Sequence, residues 1–219
     1  MLAALCPRSG LQAKGVMIVQ WVEFFFDLVS PYSYLAHGRV GRICEEHGAE
    51  LVLRPMLLGG VHKAVGLQAP IEIEPKRRHQ YRDVERWAEY YGRPFRFPDP
   101  FPFRTLKTMR AAVFSEESGD LEAFTREAFA LYWEKGGAPK GLEETDEDGP
   151  VAEVARRIGA DPEEFLRGAA APETKEALKA ATSEAVERGV FGAPTFFVGD
   201  EMFWGNDRLH FVEATLDRG

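Results

Sequence analysis

The β-rich segments of this chain lie at its two ends, and the stretch between them carries helix signals almost throughout. Val19–Phe26, VQWVEFFF, is β-branched and aromatic and reads as a buried strand. A helix is expected from Ser30 to about His47, with Ser30 as N-cap, Pro31 at the first helical position and Gly48 closing the end. Leu51–Pro55 reads as a second strand ended by proline. A right-handed crossover would make these two strands parallel. Near the other end, Val190–Val198 is strand-like, Gly199-Asp200 signals a hairpin turn and Glu201–Trp204 returns. Gly205-Asn206-Asp207 then leads into a helix, RLHFVEATL. The β-α-β piece and the β-β-α piece are expected to share one sheet.

Between them, Leu58–Pro75 reads as irregular, with Gly59-Gly60, Gly66 and Pro70. KRRHQYRDVERWAEYYG is a helix stopped by Gly92, and FRFPDPFPFR is a proline-broken aromatic loop. Further helices are expected at Thr105–Glu117, Leu121–Lys135, Pro150–Ile158, Pro162–Arg167 and Glu173–Arg188. The acidic run EETDEDG reads as a solvated loop that caps the helix after it. The chain has 219 residues, long for one simple domain and short for two. The expected division is an α/β sheet domain over 17–65 and 189–219 with a large inserted α-helical domain over 66–188.

Composition removes several classes of function. The net charge of −8 gives no basic face for non-specific nucleic-acid binding. No apolar run approaches the ~20 residues of a membrane span. Cys6 and Cys44 form no C-x-x-C or zinc spacing, and the five histidines include no H-E-x-x-H, so no metal site is expected. Two isolated cysteines suit a reducing cytoplasm. Residues 1–16 lack the basic start and long apolar region of a secretory signal. They read as a disordered leader, or as a start-site artefact with Met17 the first residue.

Two places could carry chemistry. Ser30-Pro31-Tyr32-Ser33 sits at a strand-to-helix turn. Its hydroxyl fits a helix cap, which stabilises a helix by about 1 kcal/mol. It also fits an anion site, because a helix N-terminus offers free N–H groups and partial positive charge, and such a field lowers a thiol pKa. A serine nucleophile would need a neighbouring base, and the chain has no G-x-S-x-G and nothing local that marks a base. A hydroxyl that donates to another molecule's sulfur needs none. The second place is Phe191-Gly192-Ala193-Pro194-Thr195 followed by Gly205-Asn206-Asp207. By itself it fits an edge-strand proline, or a cis peptide, and an ordinary N-cap.

Taken together, FDLVSPYSYLA and GVFGAPTFFVGDEMFWGNDRL resemble the 2-hydroxychromene-2-carboxylate isomerase family, which is close to the kappa-class glutathione transferases and to DsbA-type oxidoreductases. The similarity runs from about Met17 through nearly the whole chain. It implies a thioredoxin-like fold with an inserted helical domain, and glutathione as cofactor. Ser30 would be the catalytic residue, hydrogen-bonding the glutathione sulfur where redox relatives carry their first cysteine. Ser33 occupies the second-cysteine position, which excludes dithiol–disulfide exchange. Pro194 would be cis, Ala193 would pair its backbone with the cysteinyl part, and Trp204, Gly205, Asn206 and Asp207 would hold the γ-glutamyl end. The activity implied is isomerisation of 2-hydroxychromene-2-carboxylate or a related unsaturated aromatic acid through reversible thiol addition, bond rotation and elimination. A kappa-like transferase and a redox-inactive binding module are the alternatives. Tyr32, His62, Lys63, Phe101 and Arg104 are the candidate substrate residues, the cations among them suited to a carboxylate in an acidic protein. The implied partners are a small-molecule substrate and a second copy in a homodimer, with no nucleic acid and no membrane, and the implied location is cytoplasmic.

Overall fold

The computed structural model describes residues 20–99, 101–137 and 148–218. The proposed leader, Cys6 and most of EETDEDG lie outside them. Four strands, β1 (Trp21–Phe26), β2 (Glu50–Pro55), β3 (Thr195–Val198) and β4 (Glu201–Trp204), form one sheet in the order β2-β1-β3-β4. β1 and β2 are parallel, while β1–β3 and β3–β4 are antiparallel. Both end pieces therefore share a sheet, as the sequence implied. Strand β3 is shorter than read: Val190–Pro194 is a bent approach to it, and Pro194 follows a cis peptide.

The apolar runs of β1 and β3 follow from burial on both faces. Val22, Phe24 and Phe26 enter the main core, where Phe24 stacks on Phe196 at 5.1 Å. Phe25 faces the other way, meeting Phe197 at 5.6 Å within a second cluster with Met56, Val61 and Ala185. Glu23 is answered by Arg188 at 2.6 Å and Arg54 at 3.5 Å, so the one acidic residue of β1 is paired.

Helix α1 (Pro31–His47) crosses from β1 to β2 and ends at Gly48, whose φ of +62° needs glycine's freedom. Leu58–Val65 is a helix, α2, which corrects the irregular reading of that segment. Its start has no capping side chain, since Leu57 stands at the N-cap, and Gly59-Gly60 hides the pattern. Burial of Val61 against the second cluster supplies what propensity does not. Helix α3 spans Glu74–Tyr91, α4 Leu106–Ser118 and α5 Leu121–Phe129. The expected continuation of α5 to Lys135 changes to π-helical geometry over Ala130–Glu134, where Leu131, Tyr132 and Trp133 are all buried. Helices α6 (Asp148–Arg157), α7 (Pro162–Ala170) and α8 (Pro172–Glu187) complete the helical block, and α8 returns to pack on β2 and α2. Helix α9 (Leu209–Leu216) packs on α1 and β3. Among the described residues, no helix is long and apolar enough to cross a membrane.

Candidate active site

The strand β1 ends in Asp27-Leu28-Val29-Ser30, and this turn is tied down on every side. The Ser30 N–H donates to the Asp27 carbonyl at 3.0 Å. The Ser30 hydroxyl oxygen accepts the Ser33 N–H at 3.2 Å, which makes it the N-cap of α1. Its proton goes to the Ala193 carbonyl at 3.1 Å. The cap and the cis-Pro194 loop are thereby brought together from sequence positions far apart. Ser30 is 4% exposed. Ser33 is fully buried and its hydroxyl has no hydrogen-bond partner.

The second arm continues from the same loop. The Pro194 carbonyl accepts the Gly205 N–H at 3.0 Å, and the Thr195 hydroxyl closes back on the Gly192 carbonyl at 2.8 Å. Trp204 is 51% exposed and packs on Phe191 at 4.8 Å. A Cβ on Gly192 would lie 2.5 Å from the Trp204 indole nitrogen, so only glycine leaves that ring where it is. Gly205 has φ +106°, and a Cβ there would lie 2.4 Å from Asp207 Oδ1. Asn206 is 3% exposed, yet its Nδ2 has no partner. A buried amide left in that state is costly. Asp207 is part-exposed and paired with Arg208. The sequence-derived set Ser30, Ala193, Pro194, Gly205, Asn206 and Asp207 thus forms one connected rim.

Helix α3 borders this rim, which local sequence did not reveal. Tyr91 donates from its hydroxyl to the Asn206 carbonyl at 3.0 Å. Tyr32 donates to Asp83 at 2.8 Å. Burial, and then the Asp83 carboxylate, push the Tyr32 phenol well above its ordinary value, with Asp207 adding in the same direction. Tyr32 is therefore a neutral donor, already engaged, beside the Asp207 end of the rim.

The substrate candidates are more scattered. His62 and Lys63 stand on α2 rather than on a loop, His62 half-buried and Lys63 exposed. Burial lowers the His62 pKa, partly opposed by Glu72, so His62 is a poor fixed cation at neutral pH. Arg104 is exposed and directly precedes Thr105, the N-cap of α4. Phe101 is half-buried in an aromatic wall, 5.5 Å from Trp133 and 5.7 Å from Phe97. The Trp133 indole N–H donates to the Leu28 carbonyl at 2.8 Å, which fixes the wall to the Ser30 turn. Trp133 gave no signal in the sequence beyond an apolar residue in a helix.

The central residue the sequence reading passed over is Asp27, only 1% exposed. Burial raises its pKa, and hydrogen bonds from Val29, Leu58 and Thr105 oppose that rise. A carboxylate closing an apolar strand, Asp27 after Phe24-Phe25-Phe26, was the available signal.

A sheet in this order with a hydroxyl at the N-terminus of α1 facing a cis-proline loop defines a DsbA-like thioredoxin protein, and a family model described as a DSBA-like thioredoxin domain matches residues 21–217. The 2-hydroxychromene-2-carboxylate isomerase of Pseudomonas putida is 33% identical over 199 residues, covering 90% of this chain and 94% of the relative. The chain belongs to the 2-hydroxychromene-2-carboxylate isomerase family. A solved structure of an enzyme of that name covers 90% of this chain and 95% of its own, at 31% identity and a TM-score of 0.81. Glutathione S-transferase kappa 2 of Caenorhabditis elegans is 29% identical, covering 89% of this chain and 91% of its own.

Proposed function

We propose that this chain is a glutathione-dependent isomerase of 2-hydroxychromene-2-carboxylate or a closely related unsaturated aromatic acid. Glutathione, when bound, supplies a thiolate that adds reversibly to an unsaturated carbon and leaves again after the bond has rotated. The observation that carries the reading is the Ser30 hydroxyl at the N-terminus of α1, 3.1 Å from the carbonyl that precedes cis-Pro194.

That bond is longer than the usual O–H···O distance of about 2.7–2.8 Å, so it is readily exchanged. A peptide N–H entering beside Ala193 takes over the carbonyl. Ser30 then turns its proton toward the sulfur while still accepting the Ser33 N–H. A donor and a helix N-terminus acting together favour the charged form of a thiol whose ordinary pKa is about 8.5. Asp207 offers a part-exposed carboxylate for the ligand's ammonium, and Asn206 beside it is assigned to the same γ-glutamyl end. Trp204 and Gly205 shape the edge beside them.

The half-buried Phe101 and Phe97, backed by the buried Trp133 that bonds the Ser30 turn, would take the substrate ring. We assign Tyr32 to the substrate, Lys63 and Arg104 to its carboxylate as cations, and His62 to it as a neutral hydrogen-bond donor. We extend the proposal to a division into a sheet unit, 17–65 with 189–219, and the helical block 66–188 inserted in it. A homodimer and a cytoplasmic site of action complete the reading.

The test is to follow the ultraviolet spectrum of 2-hydroxychromene-2-carboxylate with enzyme and catalytic glutathione. Isomerisation with full recovery of glutathione supports the proposal. Stoichiometric loss of glutathione would identify a transferase instead. Equal rates with and without glutathione would refute the thiol mechanism.

A further inference from the structure

We infer that Asp27 is a positioning residue that keys α2 and the start of α4 to the turn bearing Ser30. Its two carboxylate oxygens serve three segments. Oδ1 accepts the Val29 N–H at 3.0 Å and the Thr105 hydroxyl at 2.8 Å, and Oδ2 accepts the Leu58 N–H at 2.8 Å. Leu58 is the first residue of α2, whose N-cap Leu57 has no side-chain group to offer. Asp27 therefore caps α2 from another strand. Thr105 stands at the N-cap of α4, makes no cap hydrogen bond, and donates its hydroxyl proton to Asp27.

The next residue extends the junction. The Leu28 N–H donates to Met109 Sδ of α4 at 3.4 Å, and the Leu28 carbonyl receives the Trp133 indole. The residues on either side of the junction are the ones the functional reading needs. Ser30 is three positions downstream of Asp27, His62 and Lys63 lie on α2, and Arg104 adjoins Thr105. Burial makes the junction stiff, since a nearly sealed carboxylate cannot exchange these partners for water. The main-chain bond from Ser30 to Asp27, the Ser33 N–H cap and the bond to the Ala193 carbonyl do not involve the carboxylate, which reaches this turn through the Val29 N–H. The consequence is a division of labour. Loss of the carboxylate bonds should loosen the substrate side while leaving the thiol side in place.

This inference rests on the proposed isomerase reading, and the experiment separates the two. Asp27→Asn keeps the shape but turns an NH2 toward either the Leu58 N–H or the Val29 N–H, neither of which can accept it. Thr105→Val removes one hydroxyl and leaves the carboxylate its two backbone donors. Thr105→Ser restores the hydroxyl. Three quantities are measured in each variant: glutathione affinity by calorimetry, KM and kcat for the aromatic acid, and amide hydrogen exchange at Leu58. In Asp27→Asn and Thr105→Val the expected result is a rise of roughly tenfold in KM, glutathione affinity within about twofold of the parent, and recovery in Thr105→Ser. Leu58 exchange should accelerate in Asp27→Asn. Unchanged KM in Thr105→Val, or parallel losses of glutathione and substrate binding, would overturn the inference. If Asp27→Asn does not fold, Thr105→Val still decides it. A parent enzyme that binds no glutathione refutes the isomerase reading alone, and Leu58 exchange then still judges the link from Asp27 to α2.

Discussion

Replacing Ser30 by alanine separates a helix cap from a thiol site, because the two roles predict different magnitudes in different assays. The hydroxyl makes two protein hydrogen bonds, accepting from the Ser33 N–H and donating to the Ala193 carbonyl. Losing the cap costs about 1 kcal/mol. The second bond adds about 1 kcal/mol at most, since it is long. A domain with a stability of roughly 5–15 kcal/mol remains folded after that loss. The effect on a bound thiol is larger in consequence. A hydrogen bond to a charged acceptor is worth about 1.5–3 kcal/mol, and one pKa unit corresponds to about 1.4 kcal/mol, so Ser30→Ala should raise the bound thiol pKa by about 1–2 units. If the parent titrates near 7 and the variant near 8.5, the ionised fraction at pH 7 falls from about one half to about 3%. Turnover at pH 7 then drops by tenfold or more, and the acid limb of the pH–rate profile moves up by the same 1–2 units. The assay is the ultraviolet absorbance of the thiolate against pH in the glutathione complex, beside kcat against pH and thermal melting. A variant that melts lower but titrates and turns over like the parent would leave Ser30 as a cap and sink the thiol role.

Three further predictions follow from the same geometry. Asp207→Ala removes an exposed pair with Arg208, so stability should change by less than about 0.5 kcal/mol, while glutathione affinity measured by calorimetry falls roughly 5–30-fold; unchanged affinity would remove Asp207 from the site. Gly205→Ala forces a Cβ to a φ of +106° and to 2.4 Å from Asp207 Oδ1, so both the melting temperature and glutathione affinity should fall, and a variant with parental affinity would show that the 205–207 backbone does not shape the site. Burial among Phe24 and Phe129, then Arg93 and Arg126, lowers the His37 pKa from 6.5 to about 4, so the folded state holds this ring neutral while the unfolded chain binds a proton as pH falls below 6.5. That difference should cost about 2 kcal/mol of stability by pH 5, and nothing above pH 7. Asp27, with a raised pKa, acts in the opposite sense, its contribution being lost as pH rises, so the comparison is with His37→Leu measured by denaturant unfolding at pH 7 and pH 5. Equal pH dependence in parent and variant would refute the assignment.

How far this site could be read from the sequence depended on whether its parts signal locally. Ser30-Pro31 announces a helix start in any context, and Gly199-Asp200 a hairpin, so the two arms were legible and both occur at the expected places. Helix α2 was not legible, because its start is capped by a carboxylate from another strand and its Gly59-Gly60 pair carries the poorest helix propensity. The π-helical turn at Ala130–Glu134 was missed for a related reason: ALYWE has an ordinary helical composition, and what it does depends on Trp133 reaching Leu28. Asp83 and Tyr91 sit in a strongly helical segment whose period reveals a buried face but not what lies across it. The unseen residues share one property. Each acts by joining segments distant in sequence, at Asp27 and Leu28, at Tyr32 or at Asn206. The local motifs specify the groups that touch a thiol, while the long-range bonds from Asp27, Trp133 and Tyr91 specify where those groups stand. Substitutions in the first set should therefore change the chemistry of the bound thiol, whereas substitutions at Asp27 and Trp133 should change which substrate meets it and substitutions at Tyr91 how firmly Asn206 is held.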